Sequence, residues 1–492
     1  MAYELLGDFL AELQDAGELV RIPVPVDSAL ELAEITDRIC KIPGGGPALF
    51  FENVRGSTIP VVANLLGSRQ RLCRALGVKS LDELSQRMLA FLQPELPDGW
   101  LGTLKRMPEL AQRSMLPPRT VKTGLCQQVV KLGRDVNLWD FPVPRCWPDE
   151  INPLITQGQI YTRDPDGQTR GVGAFPLQLV DRTRLLPQWH HDYAACRHCR
   201  AARAAQRQLP IAIALGGDPV FPLMASAGLP FPADPCLLGG FLRSSSIELV
   251  KCRTNDVEVP ANAEIVIEGF IDADGPLELS APAGCGTGYY LPPEELPVIQ
   301  VSAVTHRANP VWPTLVYGRP PMEDYWLQLA RERLLTPMLQ LAAPEVVDCH
   351  APAFGAGRNY LFVSIRKDIP YQARRVLNAV WSFGPIAQTK TTVIVDADVN
   401  VQRPEEVWYA AGVHVNPERD VVFSDGPMHW DDHALPIRGV GRRMGIDATR
   451  KLPEEGAARP WPAALRTSGE VSERVTQRWA EYGLRRGPGG LG

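Results

Sequence analysis

Apolar residues at helical spacing open the chain. Leu5, Phe9, Leu10 and Leu13 share one face, and Gly17 ends that helix before a strand over Glu18–Val24. A second amphipathic helix follows over Leu30–Cys40. Strands are predicted at Pro47–Val54 and Pro60–Asn64, and a helix at Arg69–Leu76. This alternation predicts an α/β domain, and the Pro-, Leu- and Arg-rich stretch Pro94–Pro118 reads as a linker. From Val129 to Tyr317 short apolar runs alternate with Gly, Pro and Asp. Thr156–Thr162, Gly173–Val180, Ile211–Leu215, Ile265–Phe270 and Val298–His306 read as strands of an antiparallel barrel or sandwich. The Ala- and Arg-rich Cys196–Gln208 reads as one helix within it. Beyond Gly318 a long helical pattern runs to Leu341. Strands at Val346–Val347, Tyr360–Ile365 and Thr392–Val395, with a helix at Ile369–Ser382, then predict a second α/β domain. The tail from Pro453 is rich in Pro, Arg and Gly.

Composition narrows the class. A chain of 492 residues with 45% hydrophobic and 22% charged residues is sized for two or three domains. A net charge of −5 argues against a nucleic-acid binder, and no apolar run is long enough for a membrane-spanning helix. The N-terminus has no basic-then-apolar signal pattern. Ten irregularly spaced cysteines read as reduced thiols of a cytoplasmic protein. Cys196-Arg-His-Cys199 is a lone pair without a partner pair, so a zinc knuckle is not expected. Met428-His-Trp-Asp-Asp-His433 has the composition of a metal loop or of a solvated acidic turn, and the turn is the expected reading.

The informative stretch is Ile247–Tyr290. Its first part, I-E-L-V-K-C followed by V-P-A-N-A-E-I-V-I-E-G, suits two short strands joined by a turn. Its second, S-A-P-A-G-C-G-T-G-Y-Y, is a loop of small residues on that rigid support. These runs resemble the UbiD-type decarboxylases, which use prenylated FMN. The resemblance extends through G-E-L-V-R-I (17–22), P-A-L-F-F-E-N-V (47–54), A-L-G-G-D-P (214–219), G-R-P-P-M-E-D (318–324) and M-G-I-D-A-T-R-K (444–451). It implies an N-terminal α/β domain (1–118), a central split β-barrel that binds the flavin (119–318) and a C-terminal α/β domain (319–452) used in dimerisation. Residues 453–492 are then a C-terminal extension.

The same resemblance implies a site. A divalent metal (Mn or Mg), with K nearby, would anchor the flavin phosphate through an Asn, a His and a Glu. The Glu matches Glu248. The His falls in Gln188-Trp-His-His-Asp192: counting without gaps gives Asp192, and slippage by one or two residues gives His191 or His190. Lys390 and Ser226 match residues that reach the phosphate, and Gln178 falls with the cofactor-binding strand. Against this, the family's Asn and catalytic Arg are replaced by Gly171 and Pro176, and its two acids by Ser280 and Cys285. Glycine brings no ligand, proline brings neither charge nor donor, and Cys285 becomes the expected centre of any altered proton chemistry. The expected function is non-oxidative decarboxylation, or reversible carboxylation, of an unsaturated or aromatic acid. The rivals are different chemistry at Cys285 and a non-catalytic subunit of a carboxylase assembly. A flavin prenyltransferase is the expected cofactor supplier, and a homodimer or higher homo-oligomer the expected state.

Overall fold

The computed structural model describes residues 3–93, 116–189, 191, 193–228, 233–357, 359–456, 461–465 and 467–483. The first helix, Leu6–Asp15, buries Leu6, Phe9, Leu10 and Leu13, the face its periodicity predicts. Arg69–Leu76 is bounded as its flanks dictate: Ser68 accepts a hydrogen bond from the Arg71 N–H, and Gly77 ends the helix in the left-handed conformation. A further helix, Leu81–Leu92, was not predicted, although Ser80 caps it in the same way. These helices flank a four-stranded sheet in the order Leu19–Ile22, Ala48–Phe51, Val61–Ala63, Trp312–Thr314. The last of these strands arrives from the far end of the central domain. Most of the proposed linker lies outside the described residues, but Arg119–Val121 is already a strand, parallel to Glu248–Val250.

The central domain is a curled antiparallel sheet of nine strands. Its order runs from Leu154–Ile155 through Leu177–Leu179, Arg184–Pro187, Ile299–His306, Ile265–Ile271, Leu209–Leu215 and Gln159–Arg163 to Arg170–Ala174. Val129–Leu132 pairs laterally with Ile299–His306. The two end strands leave the barrel split. The predicted strand Gly173–Val180 is broken at Phe175–Pro176, because proline donates no ladder hydrogen bond. Phe175 turns into the core and packs on Trp189 and Tyr193 at ring separations of 5.7 and 5.4 Å.

The C-terminal sheet runs in the order Val346–His350, Tyr360–Ile365, Thr391–Asp396, Val440–Asp447, Val421–Pro427. Leu361, Val363 and Ile365 face one apolar cluster and Phe362 the other, as a period of two requires in a sheet covered on both faces. Gln372–Ser382 covers one face and Pro404–His414 the other. The former starts later than its sequence pattern predicts, because Tyr371 adopts a φ of +60° and interrupts the run from Ile369. The long helix Glu323–Ala342 joins the domains. Leu327, Leu329 and Leu334 pack with the N-terminal and barrel residues and Leu339 with the C-terminal sheet, so it is buried nearly all round.

The chain divides into a large unit, residues 1–367 with 372–449, and a small one, residues 368–371 with 450–492. In the small unit Glu455 accepts hydrogen bonds from the Tyr371 and Leu452 N–H groups, at 2.7 Å each. Its helix Gly469–Gln477 buries no residue. All ten cysteines are free thiols. Among the described residues no helix is long and apolar enough to cross a membrane.

Candidate active site

The stretch predicted as a loop is two nested hairpins. Leu277–Leu279 pairs with Glu295–Pro297, and inside it Ala283–Gly284 pairs with Tyr290–Leu291. Polar side chains fix this frame through its backbone. Ser280 is buried, and its hydroxyl accepts from the Glu294 N–H at 3.0 Å. The Gln178 amide grips Ala281 from both sides, donating to its carbonyl at 2.6 Å and accepting from its N–H at 2.9 Å. Both side chains thus hold the hairpin. The buried Glu150 accepts from the N–H groups of Cys146, Trp147 and Gly284 at 2.7, 3.1 and 2.9 Å. Burial raises its pKa while those three donors oppose the rise.

The hairpin tip brings Cys285, Thr287 and His433 together. Cys285 is buried, with Sγ 2.9 Å from Thr287 Oγ1 and 3.7 Å from His433 Nε2. Thr287 Oγ1 lies 2.9 Å from the same His433 nitrogen, and the Tyr289 ring stands edge-on to the imidazole at 5.5 Å. Gly288, at φ +82°, allows this turn: a Cβ there would press on the Arg319 backbone at 2.9 Å. His433 arrives from the tip of the C-terminal hairpin formed by Val421–Pro427 and Val440–Asp447. The segment Met428–His433 was read from sequence as a solvated turn. Instead Met428 and His429 are buried, His429 pairs with Asp431, and Arg438 of the same tip bridges to Glu294 at 2.5 Å. A thiol acting as a nucleophile needs a lowered pKa. Burial pushes that of Cys285 up, partly opposed by the Thr287 hydroxyl, so the thiol stays protonated.

Behind the tip lies a cleft whose open space, its mouth to solvent included, is about 830 Å3. Barrel residues Gln157, Gln159 and Ala174 form one wall, Pro222 and Ser226 a second, and the long helix a third. Asp324 of that helix borders the tip, its Oδ2 only 2.8 Å from the point a Gly286 Cβ would occupy. Gln159 is buried, and its amide oxygen has no hydrogen-bond partner. That acceptor in the cleft wall fits a ligand presenting an N–H edge, as a flavin does. Ser226 donates to the Leu223 carbonyl at 3.3 Å within the wall. A smaller cavity shares Gln328, Arg331 and Gly357 with the cleft and reaches Gln388 and Thr389. The next residue, Lys390, is ion-paired with Asp432 at 2.9 Å. These features fit a flavin phosphate ester.

Of the residues matched to metal ligands, Glu248 and His191 are among the described ones, and neither belongs to a group of three His, Cys, Asp or Glu side chains. Glu248 is 47% exposed and bound to Arg119 at 2.6 Å, a cation placed there by the parallel strand pair. At Gly171 a side chain would meet Ala194, Thr162 and His198 at 2.8–3.0 Å, so there is no room for a ligand. His191 lies beside Gly439, its Cε1 3.9 Å from that glycine's would-be Cβ. His190 and Asp192 lie outside the described residues. Among the described residues no three His, Cys, Asp or Glu side chains are grouped to hold a metal ion.

Three domain families match in order. They are the 3-octaprenyl-4-hydroxybenzoate carboxy-lyase N-terminal domain over residues 10–88, the Rift-related domain over 119–320 and the C-terminal domain over 325–448. The chain belongs to the UbiD family. A relative of unassigned function from Aquifex aeolicus is 42% identical over 482 residues, covering 98% of this chain and 99% of its own. Among solved structures, the vanillic acid decarboxylase of Sedimentibacter hydroxybenzoicus in its closed form superposes with a TM-score of 0.85 at 25% identity, covering 97% of this chain and 99% of that one. The open form of that enzyme gives 0.78. The UbiD-class enzyme HmfF of Pelotomaculum thermopropionicum, in complex with FMN, gives 0.78 at 29% identity, again covering 97% and 99%. An evolved dimeric form of HmfF holds prenylated FMN. The family models describe carboxy-lyase domains, and the Sedimentibacter neighbour is a decarboxylase.

Proposed function

We propose that this chain is a carboxy-lyase that removes, or reversibly adds, the carboxyl group of an unsaturated or aromatic acid, using prenylated FMN held in the cleft. The observation that carries this reading is the cleft itself. It sits in a fold shared along 97% of the chain with a decarboxylase and with a UbiD-class enzyme in complex with FMN, and Gln159 offers its wall an unsatisfied acceptor. Gln159 and Ser226 would border the cofactor, and Lys390 would supply the counter-charge to its phosphate.

When bound, the prenylated flavin supplies the electron sink that lets the bond to the carboxyl group break. This chain's residues then manage the proton. The Cys285 thiol, kept protonated by burial, gives its proton to the carbon that loses CO2. Thr287 and His433, both within reach of Sγ, return a proton to the thiolate from solvent. The net change is one proton consumed and one CO2 released per turnover. Ser280 and Gln178 keep the hairpin in register and stay outside this relay.

The test is purification after co-expression with a flavin prenyltransferase, followed by absorbance and mass spectrometry of the released cofactor. The wild type should carry prenylated flavin, and Lys390→Ala should bind it roughly tenfold more weakly or worse, the usual worth of a charge-assisted contact. A wild type without any flavin would sink this reading and leave the non-catalytic subunit as the alternative.

A further inference from the structure

We propose that Asp432 is a positioning residue of the proton relay: anchored by Lys390, it fixes the turn that aims His433 at Thr287 and Cys285. This inference rests on the carboxy-lyase reading above for its consequence in catalysis. His433 occupies the second place of a four-residue turn, Asp432–Leu435, closed by the Leu435 N–H donating to the Asp432 carbonyl at 3.3 Å. The Asp432 side chain closes a smaller ring inside that turn, because its Oδ1 accepts from the Ala434 N–H at 3.0 Å. His433 lies between the two residues so joined, and its backbone is held on both sides.

The same oxygen accepts from Lys390 Nζ at 2.9 Å. Lys390 is itself fixed. It directly precedes the buried strand Thr391–Asp396, and its carbonyl accepts from the Met444 N–H at 2.8 Å. The turn is thereby tied to the central strand of the C-terminal sheet. Asp432 is only 6% exposed, and a charge-assisted bond at such a place holds its geometry closely. Its second oxygen is buried without a hydrogen-bond partner. A buried acceptor left open is unfavourable for folding, so stability alone does not account for this turn. What the turn secures is the reach of the imidazole, whose Nε2 lies 2.9 Å from Thr287 Oγ1 and 3.7 Å from Cys285 Sγ. A proton passes directly between groups only at roughly 3 Å, so a small rotation of the turn would open the relay. An ammonium carries three donors, and Lys390 can therefore hold Asp432 and still face a phosphate.

The test is nuclear magnetic resonance of the full chain carrying isotope-labelled histidine, at one pH, in flavin-loaded and flavin-free samples. The His433 signal is assigned by its loss in His433→Ala. The edge-on Tyr289 ring, 5.5 Å away, makes that signal sensitive to where the imidazole lies. Asp432→Ala should shift or broaden it, and so should Lys390→Ala, compared flavin-free. Asp432→Asn should return it close to the wild-type position, because an amide oxygen still accepts from the Ala434 N–H. The signals of His306 in the barrel, His198 on the helix beside it and His350 in the far edge strand of the C-terminal sheet should stay in place and report an intact fold. A His433 signal unmoved by Asp432→Ala or by Lys390→Ala overturns the proposal. So does one moved as far by Asp432→Asn as by Asp432→Ala, or one that moves only together with the three distant signals, which would make Asp432 a general stabiliser. A wild type that carries no flavin overturns the carboxy-lyase reading instead, and the imidazole signal, read without substrate, still decides the role of Asp432.

Discussion

Cys285→Ser should lower turnover by about a hundredfold or more, with the substrate affinity and flavin content little changed. Serine keeps the size of the side chain and its place beside Thr287, but its hydroxyl does not give up a proton near neutral pH. A positioned acid or base is typically worth about 10² to 10⁴ in rate. His433→Ala should cost nearly as much in multiple turnover, because both the thiolate, 3.7 Å away, and the Thr287 hydroxyl, 2.9 Å away, would lose the imidazole that returns the proton. In a single turnover it should cost much less, since the first proton is already on sulfur. The pH profile carries the same logic. Burial raises the Cys285 pKa above its ordinary value of 9.0, so wild-type activity should fall only above about pH 9, as the donor is lost. If Cys285→Ser keeps wild-type turnover, or if both variants behave alike in single and multiple turnover, the relay is wrong.

Glu323→Gln should abolish a large pH-dependence of stability. This carboxyl is fully buried at the start of the long helix, where it accepts from the Leu66 N–H at 2.8 Å and the Gln157 amide at 3.3 Å. Burial raises its pKa from 4.5 to about 7, with Asp324 adding to the rise and Arg71 and the backbone donors opposing it. The sign follows from proton linkage. The folded chain holds this proton more tightly than the unfolded one, so its stabilising contribution is complete below pH 4.5 and lost as pH rises to about 7. The loss amounts to roughly 3 kcal/mol. Denaturant midpoints measured from pH 4.5 to 8 should show wild type declining relative to Glu323→Gln by that order, with a plateau above 7. A constant difference across the range would mean that Glu323 titrates like an exposed acid. Because Gln157 lines the cleft, the same proton should also alter ligand binding at that wall.

What the sequence by itself determined was local periodicity and its punctuation. The spacing of Leu6, Phe9, Leu10 and Leu13, the Ser68 and Gly77 boundaries, and the β-branched run of Thr391–Val395 each specify an element through contacts within a few residues. The family followed from ordered motifs spread along the chain, and the losses at Pro176, Ser280 and Cys285 were visible as letters. What replaced them was not. His433 lies 148 residues from Cys285, and only the docking of one hairpin tip on another brings them together. Met428–His433 has the composition of a solvated turn, and its burial is decided by that docking. Asp324 borders Gly286 because the long helix starts there, and Glu248 is neutralised by Arg119 because a strand 129 residues earlier runs parallel to its own. Ser280 and Gln178, matched by position to reacting and cofactor-binding residues, turn out to satisfy backbone groups of a nested hairpin. Local spacing fixes which face of an element is apolar. Which polar groups meet across elements is set by long-range packing, and the site's chemistry rests on those meetings.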